Sequence, residues 1–237
     1  MNKTIFRAAL LAFAAVAGSA QALPVVGQGT WETTLLGRDI NGNAVAGNDM
    51  NSVFLYDTVL NITWLRDGNA NGQMDWGRVN TWAANLVVGG YDDWQLPTLQ
   101  PVNGTSFNYD FTYDGSSDIG YGAAGTGWGT ASEMGHLFYV TLGNTKGSLS
   151  NTGDFQNLQP DGYWFGLEYA PNTSTAWMFS TSYGYHTSYG KGNTRYALAV
   201  RSGDVLSPVP EPETYALVLA GLAVVGAAAK RKARRTQ

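Results

Sequence analysis

The 237-residue chain carries 14 Lys and Arg against 18 Asp and Glu, two His and no Cys, a formal charge of −4. The acidity excludes the basic patch that nucleic acid needs, and the absence of Cys excludes thiol nucleophiles and disulfide staples. With 44% hydrophobic and 13% aromatic residues the chain can bury a core, while 30 Gly point to many turns and short strands.

Residues 1–22 read as a secretory signal. Lys3 and Arg7 precede an apolar run over 8–18, and Ala20-Gln21-Ala22 supplies a small-residue cleavage site. One domain is expected over 23–205, with its core at about 54–201. Between residues 23 and 212 seven basic residues face 17 acids, a net charge of −10 that the full-chain value hides. Trp31–Arg38 is expected to be a strand. Phe54–Asp57 and Asn61–Leu65 are expected to pair as a hairpin.

An acidic turn follows. Asp67, Asn69, Asn71 and Asp75 put oxygen side chains at nearly every second residue, and Gly72 allows a sharp bend. Such a loop wraps a hard cation such as calcium, with the Gln73 carbonyl between the side-chain ligands. The twelfth position counted from Asp67 is Arg78, so the usual bidentate Glu is missing. The alternative is an Asx-rich turn that bonds its own backbone.

Asp75 is a good N-cap for a helix from Trp76 to about Val88, with Val79, Trp82, Ala83 and Leu86 on one stripe. Gly89-Gly90 stops it, and a short strand is expected around Trp94–Leu96, ending at Pro97. Residues 100–129 read as an irregular insertion, where Tyr109, Tyr113, Tyr121 and Trp128 alternate with Asp110, Asp114 and Asp118. Thr130 and Glu133 have the spacing of a capping box for a helix reaching Leu142, ended by Gly143. His136 beside its apolar stripe reads as a structural hydrogen-bonder. Gln159-Pro160-Asp161 matches a sugar-binding tripeptide of calcium-dependent lectins, and otherwise reads as a turn. From Gly162 the aromatics recur at near-period-2 spacing. This predicts an antiparallel meander of Tyr163–Tyr169, Trp177–Tyr183, His186–Tyr189 and Tyr196–Arg201.

Ile62–Asp67 (ITWLRD), Gly90–Thr98 (GYDDWQLPT), Ser132–Phe138, Tyr163-Trp164, Ala176–Phe179 and Ala199–Arg201 together resemble the Lcl C-terminal domain family. Gln95 stands where that family commonly has Arg. The resemblance implies an α+β fold, compact and similar to the C-type-lectin and sulfatase-modifying-factor group. Some relatives are surface adhesins for sulfated polysaccharides, a ligand that a charge of −10 disfavours unless a cation bridges. Formylglycine-generating relatives need a cysteine pair that this chain lacks.

The C-terminus reads as a linker (206–213) with Pro210-Glu211-Pro212, an apolar membrane helix (214–229) and a basic cytoplasmic tail (230–237). It resembles the PEP-CTERM sorting signal. That resemblance implies transient anchoring in the inner membrane and processing by an exosortase, in bacteria that make exopolysaccharide. The expected product is an exported, non-catalytic envelope or extracellular-matrix module associated with polysaccharide. Its candidate glycan-binding residues are Tyr109, Tyr113, Trp128, Tyr183, Tyr185 and Tyr189, since aromatic faces stack on sugar C–H groups. The alternatives are a structural surface protein without a specific ligand and a glycosidase-type enzyme.

Overall fold

The computed structural model describes residues 28–205. The expected signal segment, the linker with Pro210-Glu211-Pro212, the membrane helix and the basic tail lie outside them. Among the described residues the architecture is mixed α+β, mostly strands in two sheets with three short helices.

The chain enters through one helical turn, α1 (Trp31–Thr34), and then β1 (Leu35–Asp39). The expected strand over Trp31–Arg38 therefore begins only at Leu35. The hydroxyls of Thr33 and Thr34 both donate to the Thr30 carbonyl, which winds the preceding residues into a turn. β2 (Ser52–Asp57) and β3 (Ile62–Leu65) form the expected hairpin, with Phe54 opposite Leu65 and Asp57 opposite Ile62. The Asp57 carboxylate accepts the amides of Val59 and Leu60, both at 3.0 Å, which closes the connection.

α2 (Trp76–Ala84) starts where expected, because Asp75 accepts the Arg78 amide at 3.0 Å. It ends four residues early. Val88 and Tyr91 exchange two backbone hydrogen bonds across Gly89-Gly90, so Val88 is held in a turn rather than a helix. The strand expected at Trp94–Leu96 is a single bridge, in which Gln95 and Val200 exchange amide and carbonyl at 2.8 and 2.9 Å.

The insertion is the largest departure from expectation. It carries β4 (Phe111–Thr112), β5 (Ile119–Tyr121) and β6 (Gly127–Thr130). α3 (Glu133–His136) continues as a π turn over Leu137–Thr141, and Gly143 with φ 64° ends it as expected. The capping box is replaced: Ser132 is the N-cap and accepts the Gly135 amide at 3.0 Å. Glu133 instead accepts the Thr98 amide at 2.6 Å. Next come β7 (Gly162–Glu168), β8 (Thr175–Ser180), β9 (Tyr185–Gly190) and β10 (Val200–Ser202).

The first sheet has the order β1-β2-β3-β10 and the second β4-β5-β9-β8-β7. The meander is thus three strands long, not four. β10 leaves it and pairs with β3, Val200 opposite Trp64. Opposite β7, β5 extends the second sheet by pairing with β9. The main core lies between the sheets and includes Trp64, Phe138, Tyr163, Phe165, Trp177, Phe179 and Val200. The alternate residues Trp164, Ala176 and Met178 face the other way and are covered by Val79 and Ala83 of α2. That cover stops at the β7–β8 side of the sheet.

His186 ties these parts together from the inner side of β9. It is 1% exposed, and Trp128 stacks on it at 3.7 Å between ring centroids. Its Nδ1 lies 3.1 Å from the Asp118 carbonyl and must donate there. Its Nε2 then accepts from the Ser132 hydroxyl at 2.8 Å, while that hydroxyl accepts from Gly135. Burial pushes the imidazole pKa down to about 3. The unfolded chain takes a proton near pH 6.5 that the folded chain refuses, so stability falls as pH drops through this window. The slope is about 1.4 kcal/mol per pH unit from this one group. Denaturant midpoints of the wild type should therefore fall between pH 6.5 and 5, whereas His186→Gln, less stable at pH 7, should show a flatter profile. Parallel profiles would show that His186 does not titrate in this way.

Candidate functional site

The open part of the outer face of the second sheet is aromatic. Along β9, His186 points inward, so Tyr185 and Tyr189 point outward. β5 places Tyr121 directly opposite Tyr185, and their rings meet at 5.5 Å. Tyr113 stacks on Tyr121 at 5.4 Å with planes 13° apart, and Phe111 touches both rings at 5.1 and 6.0 Å. Tyr183 stacks on Tyr185 at 5.7 Å. Five rings from three chain segments thus form one connected surface. Phe111, Tyr113 and Tyr183 are 52, 66 and 54% exposed.

Local chemistry holds this surface in place. Gly120 has φ 106°, and a Cβ there would lie 2.0 Å from the Thr112 carbonyl, so only glycine lets β4 and β5 approach. The Asp118 carboxylate accepts the Val102 and Asn108 amides at 2.8 and 2.7 Å and ties down the base of the insertion. Asp114, beside Tyr113, accepts from the Ser116 amide and hydroxyl. Those bonds hold its carboxyl below the usual range. Burial by neighbouring rings raises the Tyr185 phenol, which stays a neutral donor at physiological pH. Exposed rings beside an ionised carboxylate can stack on sugar C–H groups and accept from hydroxyls.

The structure therefore gathers Tyr113, Tyr183 and Tyr185 and adds Phe111 and Tyr121. Tyr189 lies farther along β9 under the Arg195 guanidinium, 4.2 Å from its centroid. Tyr109 leaves the group and packs against Trp177 and Tyr169. Trp128 is a correction. It is 4% exposed, its Nε1 donates to Ser117 at 2.7 Å, and it packs on His186, so no ligand reaches it. His186 is likewise part of the core and not of an outer surface. His136 is buried and bonds the Gly129 carbonyl, a structural role. Phe111 escaped notice because no spacing rule marks a two-residue strand. Its one sequence signal is its place between Tyr109 and Tyr113 in an Asp-rich loop.

The acidic turn docks against the 156–161 loop. Asp67 accepts the Asn69 amide at 2.9 Å and the Asn157 side chain at 3.1 Å. The Asn71 amide donates to the Met74 sulfur, and Gln73 donates to Asp161 at 2.9 Å. Asp75 is committed to the α2 cap and to Arg78 at 3.2 Å. Gln159-Pro160-Asp161 also spends its polar groups on the fold. The Gln159 amides are engaged by Tyr163 and Asn157, and Asp161 is engaged by Gln73 and its own following amide. The Asp67–Asn69 bond is that of an Asx turn, and the other contacts tie the turn to the neighbouring loop. Among the described residues no group of three or more His, Cys, Asp or Glu side chains converges as a metal site. Asp75→Ala should then cost about 1 kcal/mol through loss of the cap, equally in calcium and in EGTA. A loss confined to calcium-containing buffer would assign the carboxylate to a metal instead.

Compared with known proteins, residues 208–235 match the family model described as the PEP-CTERM protein-sorting motif. No curated protein matches the chain. The C-terminal segment thus carries the sorting signal of an exported protein, processed by an exosortase and directed to the cell surface.

Proposed function

We propose that this is a non-catalytic, polysaccharide-associating module of the envelope or extracellular matrix, displayed after exosortase processing. The observation that carries the reading is the connected, exposed aromatic face of Phe111, Tyr113, Tyr121, Tyr183 and Tyr185. The outermost rings, Phe111, Tyr113 and Tyr183, leave a face or edge open for the C–H groups of a sugar ring. The sorting signal supports the address at which polysaccharide is met. The resemblance to the Lcl C-terminal domain and to a lectin-like fold belongs to the same proposal.

The reading needs no reacting centre. Ser132 and His186 are hydrogen-bonded, but both are about 1% exposed, and the hydroxyl is also spent on capping α3. A nucleophile must touch its substrate, and this one is sealed in the core. The Asp67–Asp75 turn enters the reading as scaffold.

The test is a pull-down of the full-length protein on the producing organism's exopolysaccharide, with and without EGTA. Saturable binding in both conditions is expected. Tyr113→Ala combined with Tyr185→Ala should weaken it by about fivefold or more, since two stacked rings contribute roughly 1–3 kcal/mol. Unsaturable retention, or binding indifferent to both substitutions, would leave a structural surface protein as the better description.

A further inference from the structure

A second place on the molecule has the form of a small-molecule site. A cleft of about 300 Å³ opens between α2, the 95–100 segment and β7. This is at the low end of the range for ligand pockets, ~300–1,000 Å³. It lies at the β7 edge of the second sheet, whereas the aromatic face lies at the β4–β5–β9 end, with β8 between them.

Its floor is apolar: Ala83 and Leu96 are 2 and 3% exposed. Its polar wall consists of carboxamides. Asn80 is held in one orientation because its Nδ2 donates to the Trp76 carbonyl at 2.7 Å, which leaves its Oδ1 as an acceptor. Gln95 and Gln100, both exposed, have side-chain amides without a partner among the described residues, although their backbones are fixed. Each offers two donors and an acceptor. No lining side chain is charged.

Gly166 keeps the space open. A Cβ built there would point toward Leu96 Cβ at 3.5 Å and Asn80 Oδ1 at 4.0 Å, both in the pocket wall, at ordinary contact distance. A Cβ at this position also keeps 3.8 Å from the Leu96 carbonyl oxygen, so it fits without striking the backbone. The cleft is therefore space that the fold leaves unfilled, not space it needs.

We propose that this cleft binds a single neutral polyhydroxylated ring, a monosaccharide unit. Hydroxyls both donate and accept, as carboxamides do, and the C–H face of a pyranose matches the apolar floor. A charged ligand would lose hydration here with no opposite charge to replace it. The cleft shares no residue with the aromatic face, so the two sites stand or fall separately.

Saturation-transfer NMR on the full-length protein tests the proposal, with D-glucose, D-galactose and N-acetyl-D-glucosamine as neutral probes and D-glucuronate as the anionic control. At least one neutral sugar should give a saturable signal, and glucuronate should give a signal at least fivefold weaker. Gly166→Leu, which fills the cleft, should reduce the neutral signal at least tenfold while near-ultraviolet circular dichroism remains native. Gln95→Ala with Gln100→Ala should weaken it severalfold with the space intact. In a Tyr113→Ala/Tyr185→Ala background, which removes the contribution of the aromatic face, a saturable neutral-sugar signal should remain and should still be lost on Gly166→Leu, which separates this site from that face. No saturable signal from any neutral sugar, or a signal unaffected by Gly166→Leu, would overturn the proposal.

Discussion

The uncharged His186 imidazole is the constraint on which the outer surface depends. It joins three segments far apart in sequence: β9, the insertion through the Asp118 carbonyl, and the start of α3 through Ser132. Trp128 closes over it at 3.7 Å. Each ring nitrogen has one partner, and burial lowers the pKa despite the bond to the Asp118 carbonyl, so the imidazole stays a neutral donor and acceptor. Fixing Asp118 and Trp128 also fixes β5 beside β9. Without that pairing Tyr121 would not face Tyr185, and Tyr113 and Phe111 would have nothing to stack on.

Arg66, Arg201 and Trp94 act away from that surface, as framework. Arg66 is buried and donates to the carbonyls of Asp49, Ser52 and Asp154, which ties the 49–52 turn to the 154 loop. Arg201 grips Asp93 through two bonds of 2.7 and 2.9 Å and lies over Tyr91. Trp94 stacks on Phe54 at 5.6 Å and donates to the Tyr91 carbonyl. These contacts lock the Gly90–Thr98 segment to the first sheet. They say little about a ligand, because their polar groups are already used.

This division explains what could be read from the residues. The hairpin of β2 and β3 and the Asp75 cap of α2 rest on local signals, and both are present. The insertion is opaque to sequence reading because its strands are two to four residues long and β5 joins the sheet through β9, more than sixty residues away. Composition marks aromatic residues there but does not say which face they take. Trp128 and Tyr113 sit in the same Gly-rich stretch, yet one is core and the other is 66% exposed. The capping box failed for a related reason. Tertiary contact with Thr98 claims the Glu133 carboxylate, and Ser132, two residues after Thr130, takes the cap. The cleft beside Gly166 has no sequence signature at all, since it is defined by a side chain that is missing.

The central claim is that the aromatic face is preformed, because the insertion is part of the second sheet. Native-state hydrogen exchange of the full-length protein tests it most directly. The account predicts that the amides of Val102, Asn108, Gly115 and Asp118, all bonded within the insertion, exchange slowly, in a unit cooperative with β9. Rapid exchange across residues 100–129, with β7, β8 and β9 still protected, would contradict it.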